Sequence, residues 1–400
     1  MPVLPVKAGL AAFWFLFLAG LGSFFPLYSL YLREIAGLSK AEVGTVLAAI
    51  PLAGMMSQSF WGALSDRSGH RRRVLAALCM GCALALIQIG RARGFVELVL
   101  ATFALSIFSS SVIPMLLALG FALLGVGGRR VFGPIRLFGT AGFLMGLEMV
   151  THVPALYPTR EGLIAGASPH FLVAAGFVVL AALCGLALPE SNDTTLRSRK
   201  GDLRRLFRQP RFVLLLGFAF LAHLAIQGPQ QQLALILRLR GVGLSEVGNT
   251  YRLMLLIEMP LVFGVGWAAA RLGHRGLAVL GLTSEALRWW VAGHADTLVL
   301  LRGIQALHGI SVAAILLGIP MHVEQIVPKE LRSSAQAVLA TVGIAIGTMT
   351  SNLVFGRLLE SQGSRRPLEM ASLLCLGLAV AGLVVMRETG RRTPVHPEAS

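Results

Sequence analysis

Long apolar stretches are the feature that most constrains how this chain can fold. Examples run from Gly9 to Leu32, from Ala41 to Leu64 and from Val96 to Leu124. Each holds about 20 residues or more, enough for a helix to cross the roughly 30 Å hydrocarbon core of a bilayer. Hydrophobic residues make up 55 % of the sequence and charged residues 14 %, about half the charged share of a soluble domain. We therefore expect an all-α, polytopic membrane protein.

Polar connectors divide the chain into twelve predicted transmembrane helices. The predicted spans cover residues 9–32, 41–65, 74–92, 95–124, 136–153, 170–188, 211–237, 246–270, 275–293, 297–323, 331–358 and 367–386. The longest connector is polar and strongly basic, which is typical of a solvated linker, and it leaves six spans on each side. The predicted domains are an N-terminal six-helix bundle (1–189), a basic cytoplasmic linker (190–210), a C-terminal six-helix bundle (211–388) and a cytoplasmic tail (389–400).

The net charge of +16 comes from basic residues in the connectors rather than from one soluble face. This distribution argues against nucleic-acid binding. If the N-terminus is inside, 21 Lys and Arg lie on the cytoplasmic side and 10 on the other, as the positive-inside rule requires. We expect a multi-pass protein of the inner membrane with both termini in the cytoplasm. The apolar N-terminal run is too long for a signal-peptide core and is interpreted as the first span.

A weak internal repeat relates the two predicted bundles. The segment GALSDRSGHR (62–71) follows the second span, and GWAAARLGHR (266–275) follows the eighth. The two segments align glycine with glycine, and Gly69 corresponds to Gly273. Repeated halves of this kind are typical of secondary transporters, so the repeat predicts two pseudo-symmetric six-helix bundles.

The first copy of the repeat resembles the signature loop of the major facilitator superfamily, between helices two and three. In that family the loop clamps one half against the other in the outward-facing state. The second copy has Ala270 where the first has Asp66, so the clamp is expected to be asymmetric. A simple role of the Arg cluster in fixing topology is the alternative. The predicted gating residues are Gly62, Asp66, Arg67, Gly69 and Arg71.

Within the superfamily, the chain is similar to the branch that holds lactose permease, the oligosaccharide–proton symporters and the phenylpropionate permeases. GSFFPLYSLYL (22–32), which contains Tyr28, resembles the first helix of these proteins, and FGPIRLFGTAGF (132–143) resembles the entry to helix five. The resemblance implies that Arg136 is the substrate clamp and that Phe143 replaces the Trp that stacks on sugar. Because that Trp and several charged residues of the family pattern are absent, lactose itself is not expected as the substrate.

The resemblance also implies a proton-coupling network in the C-terminal half. Glu258, Arg288 and His308 match the charged positions of helices eight, nine and ten in these permeases. The helix-ten carboxylate that carries the proton in the family is Ser311 here. Glu285 lies three residues before Arg288, on the same helix face. Glu285 therefore either forms a structural ion pair or takes over proton transfer, and Glu258 is the other candidate for that role.

Two features bear on the solute. The carboxylate that partners the substrate Arg in the family would fall at Ala118, so Arg136 is expected to be an uncompensated cation. That interpretation favours a carboxylate-bearing solute such as an aromatic acid, with a neutral glycoside as the next choice. His223, Gln227 and Gln230 recur at roughly helical spacing and are expected to face the solute. Hydrogen bonding between packed helices is the alternative role for this polar stripe.

Several other functions are disfavoured. None of the lysines follows the glycines of a phosphate-binding loop, which excludes ATP-driven transport. Cys79 and Cys82 form a C-x-x-C inside an apolar span without a second pair, and we interpret them as packing residues rather than metal ligands. We expect neither enzymatic activity nor a metal or other cofactor.

Taken as a whole, the sequence predicts a proton-coupled symporter that takes up a small organic solute by alternating access. Its expected partners are the solute, protons and the lipid bilayer, and we expect it to act as a monomer. Three alternatives stay open: a proton-coupled exporter of drugs or metabolites, a lipid-translocating flippase, and a membrane sensor that does not transport.

Overall fold

The structure is a computed structural model that describes residues 5–125, 128–157, 159, 168–190 and 202–386. The described residues form helices joined by short loops, and they contain no β-strand. The all-α fold class expected from the apolar stretches is therefore confirmed.

Within the described residues, six long helices make up the N-terminal half. They are α1 (Val6–Ile35), α2 (Lys40–Ser68), α3 (Arg71–Arg91), α4 (Phe95–Leu124), α5 (Gly128–His152) and α6 (Pro169–Leu186). The first segment of α1 ends at Gly22, and a 3₁₀ turn, Phe25–Leu27, interrupts the helix. Pro26 lies in the first turn of that 3₁₀ segment, where its missing N–H leaves no helical hydrogen bond unmade.

Six further helices follow a short helix, Asp202–Phe207. They are α7 (Pro210–Gln231, continued by Leu233–Leu239), α8 and α9 (both within Leu244–His294 and divided at Gly273), α10 (Leu298–Gly303, Ile304–Leu307 and His308–Ile326), α11 (Lys329–Gln362) and α12 (Arg365–Val385). All twelve predicted spans are thus found as helices within the described part of the chain. The largest shift in a boundary is at α5, which begins at Gly128 rather than at 136.

The apolar character of the helices is uneven. Eight described helices are long and apolar enough to cross a membrane, or up to nine when the bent pair Leu244–Leu261 and Gly266–His294 counts as one span. The helices outside the group of eight are α5, α8, α9 and α10. These four carry Arg136, Glu258, Glu285, Arg288 and His308, which lowers their mean hydropathy.

Gly69 and Gly273 occupy equivalent places in the two halves. Gly69 ends α2 with a φ of +66°, and Gly273 separates α8 from α9 with a φ of +68°. A positive φ of this size is easily adopted only by glycine, although the ψ angles differ, at 2° for Gly69 and 172° for Gly273. The alignment of these two glycines in the sequence repeat therefore has a structural basis, because each interrupts the chain of helices at a positive φ that disfavours other residues.

The two halves are in close contact at one end of the bundle. We call the end that carries Gly69 and the start of the 190–210 connector the linker end, and the other the opposite end. At the opposite end α2 crosses α11 so tightly that a Cβ at Gly44 would lie 2.3 Å from the Asn352 carbonyl oxygen. The Lys40 backbone N–H also donates to Glu360 at 2.6 Å.

Two further helix pairs close the opposite end. Between α5 and α8, Glu148 pairs with Arg252 at 3.2 Å, and Gly248 packs directly on Thr151. Between α1 and α7, Arg238 Nε donates to Glu34 at 3.0 Å. These contacts join residues of both halves, so they must break when this end opens.

The same helices separate toward the linker end. A Cβ at Gly62 on α2, or at Gly266 on α8, would meet no described atom within 4 Å. Arg67 and Gly69 are exposed, whereas Arg71 is buried with an interaction partner. The side chain of Asp66 lies outside the described residues, so its predicted role in the clamp stays a prediction. The boundaries predicted for the linker and tail also stay predictions, since most of those residues are likewise outside the description.

The tight crossing of α2 and α11 predicts that Gly356→Ala opens the opposite end. The added Cβ would lie 2.8 Å from the Lys40 carbonyl oxygen and 2.9 Å from Gly44 Cα. Neither backbone atom can move aside without separating the helices, and overpacking of this kind costs about 1–3 kcal/mol. We expect a longer distance between spin labels at Val153→Cys and Val299→Cys, two exposed positions at this end on different halves.

Gly377→Ala is the matched control, because a Cβ at this α12 position would enter open space. The control is expected to keep the parent distance distribution. An unchanged distribution in folded Gly356→Ala protein would show that the crossing does not hold this end closed.

Candidate functional site

A cavity of about 200 Å³ lies between the two halves near the middle of the bundle. One part of its wall is aromatic, another consists of three glutamine side chains from α7, and a few apolar residues and one histidine complete it. The lining residues are Phe25, Pro26, Phe143, Gln227, Gln230, Gln231, Tyr251, Met254, Leu255 and His308. Of the residues predicted to bind solute, the cavity brings together Phe143, Gln227 and Gln230.

Local breaks in the helices place several of these side chains. Phe25 begins the 3₁₀ turn of α1, Gln231 is the last residue of the first segment of α7, and His308 follows the 3₁₀ segment Ile304–Leu307 of α10. Tertiary packing holds these interruptions although each removes regular helical hydrogen bonds. They bring polar and aromatic groups from three helices to one level of the bundle.

Arg288 is the centre of a buried polar network beside this cavity. Its side chain is 0 % exposed. Nη1 donates to Glu285 Oε1 at 3.0 Å and to His308 Nδ1 at 3.1 Å. Nε donates to Gln305 Oε1 at 2.8 Å, and Nη2 donates to Gln230 Oε1 at 2.6 Å. The guanidinium therefore joins α7, α9 and α10 through four side chains.

The contact with Arg288 fixes the tautomer of His308. A guanidinium has only donors, so His308 Nδ1 must accept and cannot carry a proton in this arrangement. The neutral ring then carries its proton on Nε2, which lies 3.9 Å from Glu258 Oε2. His308 and Glu258 are both partly exposed, at 16 % and 24 % of their side chains, so this end of the network is open to the space between the halves.

The two carboxylates proposed for proton coupling differ sharply in environment. Glu285 is 0 % exposed, and its Oε2 has no hydrogen-bond partner among the described residues. Glu258 lies three residues beyond Leu255 toward the linker end and is partly exposed. Only Glu258 therefore has direct access to solvent in this conformation.

Arg136 lies on α5 toward the linker end from the cavity. It precedes the lining residue Phe143 by seven positions, which is about 10 Å along a helix. Its side chain is exposed, with the guanidinium carbon 5.6 Å from the Trp14 ring centroid. Arg136 is also close enough to Glu258 to interact with it electrostatically. We call the space that these two residues border, between the halves on the linker side of the cavity, the vestibule.

Besides Arg136, the structure places two more predicted solute-binding residues away from the cavity lining. Tyr28 is 1 % exposed and its hydroxyl is hydrogen-bonded to Thr102 on α4 at 2.5 Å. His223 is 3 % exposed, and its Nδ1 bonds to the Ala219 carbonyl oxygen one turn earlier in its own helix at 2.8 Å. Both side chains are thus occupied in helix packing in this conformation.

Three residues of the site carried no recognisable signal in the sequence. Gln305 and Tyr251 are isolated polar residues in apolar helices, and neither belongs to a motif. Asn352 lies on α11, where its Nδ2 bonds to Gln231 Oε1 at 3.0 Å. The one signal that could have pointed to Gln305 is its three-residue spacing from His308, which places the two on the same helix face.

Comparisons with known proteins agree with this architecture. The model of the MFS_1 like family matches residues 8–367. The chain is 26 % identical over 355 residues to the maltose permease of Geobacillus stearothermophilus, covering 87 % of this chain and 86 % of that protein. It is 25 % identical over 364 residues to the putative nucleoside transporter YegT of Escherichia coli (strain K12), covering 87 % and 82 %.

Two solved structures share the fold at low sequence identity. The crystal structure of the nucleoside transporter NupG superposes with a TM-score of 0.84 at 17 % identity, over 96 % of this chain and 100 % of that one. The inward-open xylose transporter XylE from E. coli gives 0.73 at 13 % identity, over 96 % of both chains.

The family model spans most of the sequence, and the helices form the matching fold around a central cavity. The chain therefore belongs to the MFS_1 like family of major facilitator proteins, and it is a polytopic secondary transporter of small solutes rather than an enzyme.

Proposed function

We propose that this protein is a proton-coupled symporter for a neutral, ring-bearing solute, namely a glycoside or a nucleoside. The observation that carries the proposal is the balance of charge around the cavity. Arg288 is paired with Glu285 at 3.0 Å, and Arg136 is near enough to Glu258 to interact with it electrostatically. With His308 neutral, two cations are balanced by two carboxylates.

This balance changes the interpretation of Arg136. The sequence suggested an uncompensated cation, because the carboxylate that the family has on α4 is replaced by Ala118 here. Glu258 on α8 supplies the missing negative charge from the other half of the protein. A carboxylate-bearing solute would upset this balance by one charge, whereas a neutral solute would not. The site thus favours the glycoside alternative over the aromatic acid.

The lining of the cavity supports the same class of solute. Phe25, Phe143 and Tyr251 offer faces and edges against which a ring can pack. The α7 glutamines offer hydrogen bonds without net charge. Two relatives that cover most of the chain are named as a maltose permease and a putative nucleoside transporter, whose solutes both contain a sugar ring.

We place the linker end in the cytoplasm, as the distribution of Lys and Arg indicates. In this orientation both termini are cytoplasmic and the protein lies in the inner membrane. The closed opposite end then faces outward and the vestibule faces the cytoplasm, so the structure represents an inward-facing state. The cavity is complete within one chain, which is consistent with transport by a monomer.

Glu258 is the proton carrier in this proposal. It combines access from the vestibule with the proximity of the neutral His308 ring and of Arg136. Protonation of Glu258 would remove the charge that balances Arg136. Whether Arg136 has a charged partner therefore depends on whether Glu258 has bound a proton. In this proposal the same pairing controls the return of the empty carrier. Glu285 is held by Arg288 and serves to keep that guanidinium in place.

Transport into proteoliposomes tests the proposed function directly. Purified full-length protein is reconstituted, and labelled maltose, uridine or 3-phenylpropionate is supplied under an imposed inward proton gradient. We expect a neutral solute to accumulate and a protonophore to abolish the accumulation. Accumulation of the acid alone would overturn the neutral-solute proposal. Solute efflux driven by inward proton movement would instead identify an exporter.

Glu258→Gln is expected to separate solute movement from proton movement. The amide keeps the size and polarity of the side chain but cannot exchange a proton at this site. We expect accumulation against a gradient to fall to the equilibrium level, while exchange of labelled for unlabelled solute continues within about threefold of the parent rate. Glu324→Gln, on an exposed carboxylate at the linker end of α10, is the control and should accumulate normally. Full accumulation by Glu258→Gln would show that the proton is carried elsewhere.

Arg136→Lys is expected to weaken solute binding by about tenfold or more, which corresponds to roughly 1.4 kcal/mol. A guanidinium can hold vicinal hydroxyls with two parallel donors and face Glu258 at the same time, and an ammonium cannot reproduce this fork. Equilibrium binding of the transported solute measures the effect. Arg357→Lys, at an exposed position on α11, controls for the loss of a surface guanidinium. If Arg136→Lys binds within about twofold of the parent, Arg136 is not part of the solute site.

A further inference from the structure

We propose that Arg288 and Asn352 lock the amides of Gln230 and Gln231 so that both present N–H donors to the cavity. The site then selects solutes that offer hydrogen-bond acceptors, such as carbonyl oxygens or ring nitrogens, on the edge facing α7. This inference rests on the proposed function, because it concerns the solute cavity of that transporter. It distinguishes solutes by the hydrogen-bonding groups on their edge, which neither net charge nor ring shape does.

The orientation of Gln230 follows from the chemistry of its partner. Arg288 Nη2 lies 2.6 Å from Gln230 Oε1. Arginine carries five N–H donors and no acceptor, so the Gln230 amide must turn its oxygen toward the guanidinium. Gln230 makes no other hydrogen bond to the described residues, and it lines the cavity. Its NH₂ group is thus left to face the solute.

The orientation of Gln231 is fixed by a second and separate chain of contacts. Asn352 is 0 % exposed, and its Nδ2 donates to the Thr348 carbonyl oxygen at 3.1 Å. A backbone carbonyl can only accept, so this contact determines which end of the Asn352 amide is the nitrogen. The second Nδ2 proton points to Gln231 Oε1 at 3.0 Å. Gln231 therefore also turns its oxygen away and keeps its NH₂ group for the cavity.

Neither amide can rotate without a large penalty. If the Gln230 amide were flipped, its NH₂ group would face the buried Arg288 guanidinium, so that two hydrogen-bond donors would meet. If the Gln231 amide were flipped, its NH₂ group would likewise meet the Nδ2 donor of Asn352. Leaving buried donors unpaired is strongly unfavourable. By contrast, Gln227 lines the same cavity and has no described hydrogen-bond partner to fix its amide, so it can turn either end toward a solute.

Two fixed donors beside aromatic walls suit one kind of solute edge. A planar ring that carries a carbonyl oxygen can pack against the aromatic side chains and accept from the α7 amides. A ring with an exocyclic amino group at the same position would set donor against donor. Uracil and cytosine differ in this way at position 4, where uracil has an acceptor oxygen and cytosine has an amino donor. Uridine and cytidine are therefore a matched pair of probes with the same sugar.

The test is equilibrium binding of uridine, cytidine and maltose to the purified full-length protein. We expect uridine to bind at least tenfold more tightly than cytidine. Gln231→Glu is expected to shift the ratio of the two affinities at least tenfold toward cytidine. One carboxylate oxygen can accept from Asn352, and the other then gives the cavity an acceptor in place of a donor. Gln227→Glu adds the same charge one turn away and should change both affinities in parallel, with their ratio within about threefold of the parent.

Asn352→Ala provides a second variant that does not add charge. Without Asn352 the Gln231 amide can rotate, so the preference for uridine should fall toward equal binding while maltose binding persists. A merely structural role of Asn352 would weaken all three solutes alike and leave the ratio unchanged. Size-exclusion chromatography and maltose binding report whether each variant is folded.

The outcomes separate this inference from the proposed function. Equal binding of uridine and cytidine by the parent, or a ratio that Gln231→Glu does not move, overturns the donor-locked cavity and leaves the symporter proposal intact. Binding of maltose with no binding of either nucleoside also overturns the predicted preference for a carbonyl-bearing ring. If none of the three neutral solutes binds or is transported, the proposed function fails and this inference fails with it.

Discussion

A buried guanidinium with four side-chain partners organises the C-terminal half of this transporter. Arg288 has no access to solvent, and an isolated charge in that position would be strongly unfavourable in a membrane protein. Glu285 neutralises the charge. The side chains of Gln230, Gln305 and His308 accept further hydrogen bonds from the guanidinium. Removing one partner would leave donors or a charge unpaired, so the arrangement constrains the position of three helices at once. The register of α7, α9 and α10 around the cavity depends on this requirement.

The two halves pack tightly at one end of the bundle, whereas two described glycines on the same helices face open space toward the other end. On α2, Gly44 packs on α11 while Gly62 meets nothing; on α8, Gly248 packs on α5 while Gly266 meets nothing. Helices that touch at one end and diverge at the other can rock about the cavity without rearranging their own hydrogen bonds. The ion pairs at the closed end are half-exposed, so each contributes only about 0–1 kcal/mol. Close glycine-mediated packing therefore has the larger part in holding this end, and weak ion pairs allow it to open.

The fold was largely predictable, and the site only in part. Apolar length pointed to most of the helices, because the thickness of a bilayer sets that length directly, and the polar connectors were needed to separate the less apolar α5, α8, α9 and α10. The repeat identified Gly69 and Gly273, since a positive φ at a break between helices favours glycine. The spacing of Glu285 and Arg288 anticipated their ion pair. The roles of Gln305 and Asn352 could not be read from the sequence, because a single amide in an apolar helix does not reveal its partner. The placement of His223 within helix packing likewise depends on the rotation of α7, which its polar spacing did not determine.

One amide connects the solute cavity to the coupling charges. Gln230 gives its oxygen to Arg288 and, in our proposal, its NH₂ group to the solute. Hydrogen bonds in series polarise one another. A solute that accepts a hydrogen bond from the Gln230 NH₂ group therefore makes the Gln230 oxygen a stronger acceptor for Arg288. Arg288 also donates to His308, whose other nitrogen faces Glu258 at 3.9 Å. In the proposed symport mechanism, a neutral solute would thus influence Glu258 through Gln230, Arg288 and His308 without touching a carboxylate. Coupling of that kind requires no charge on the solute, because the connecting hydrogen bonds already belong to the protein.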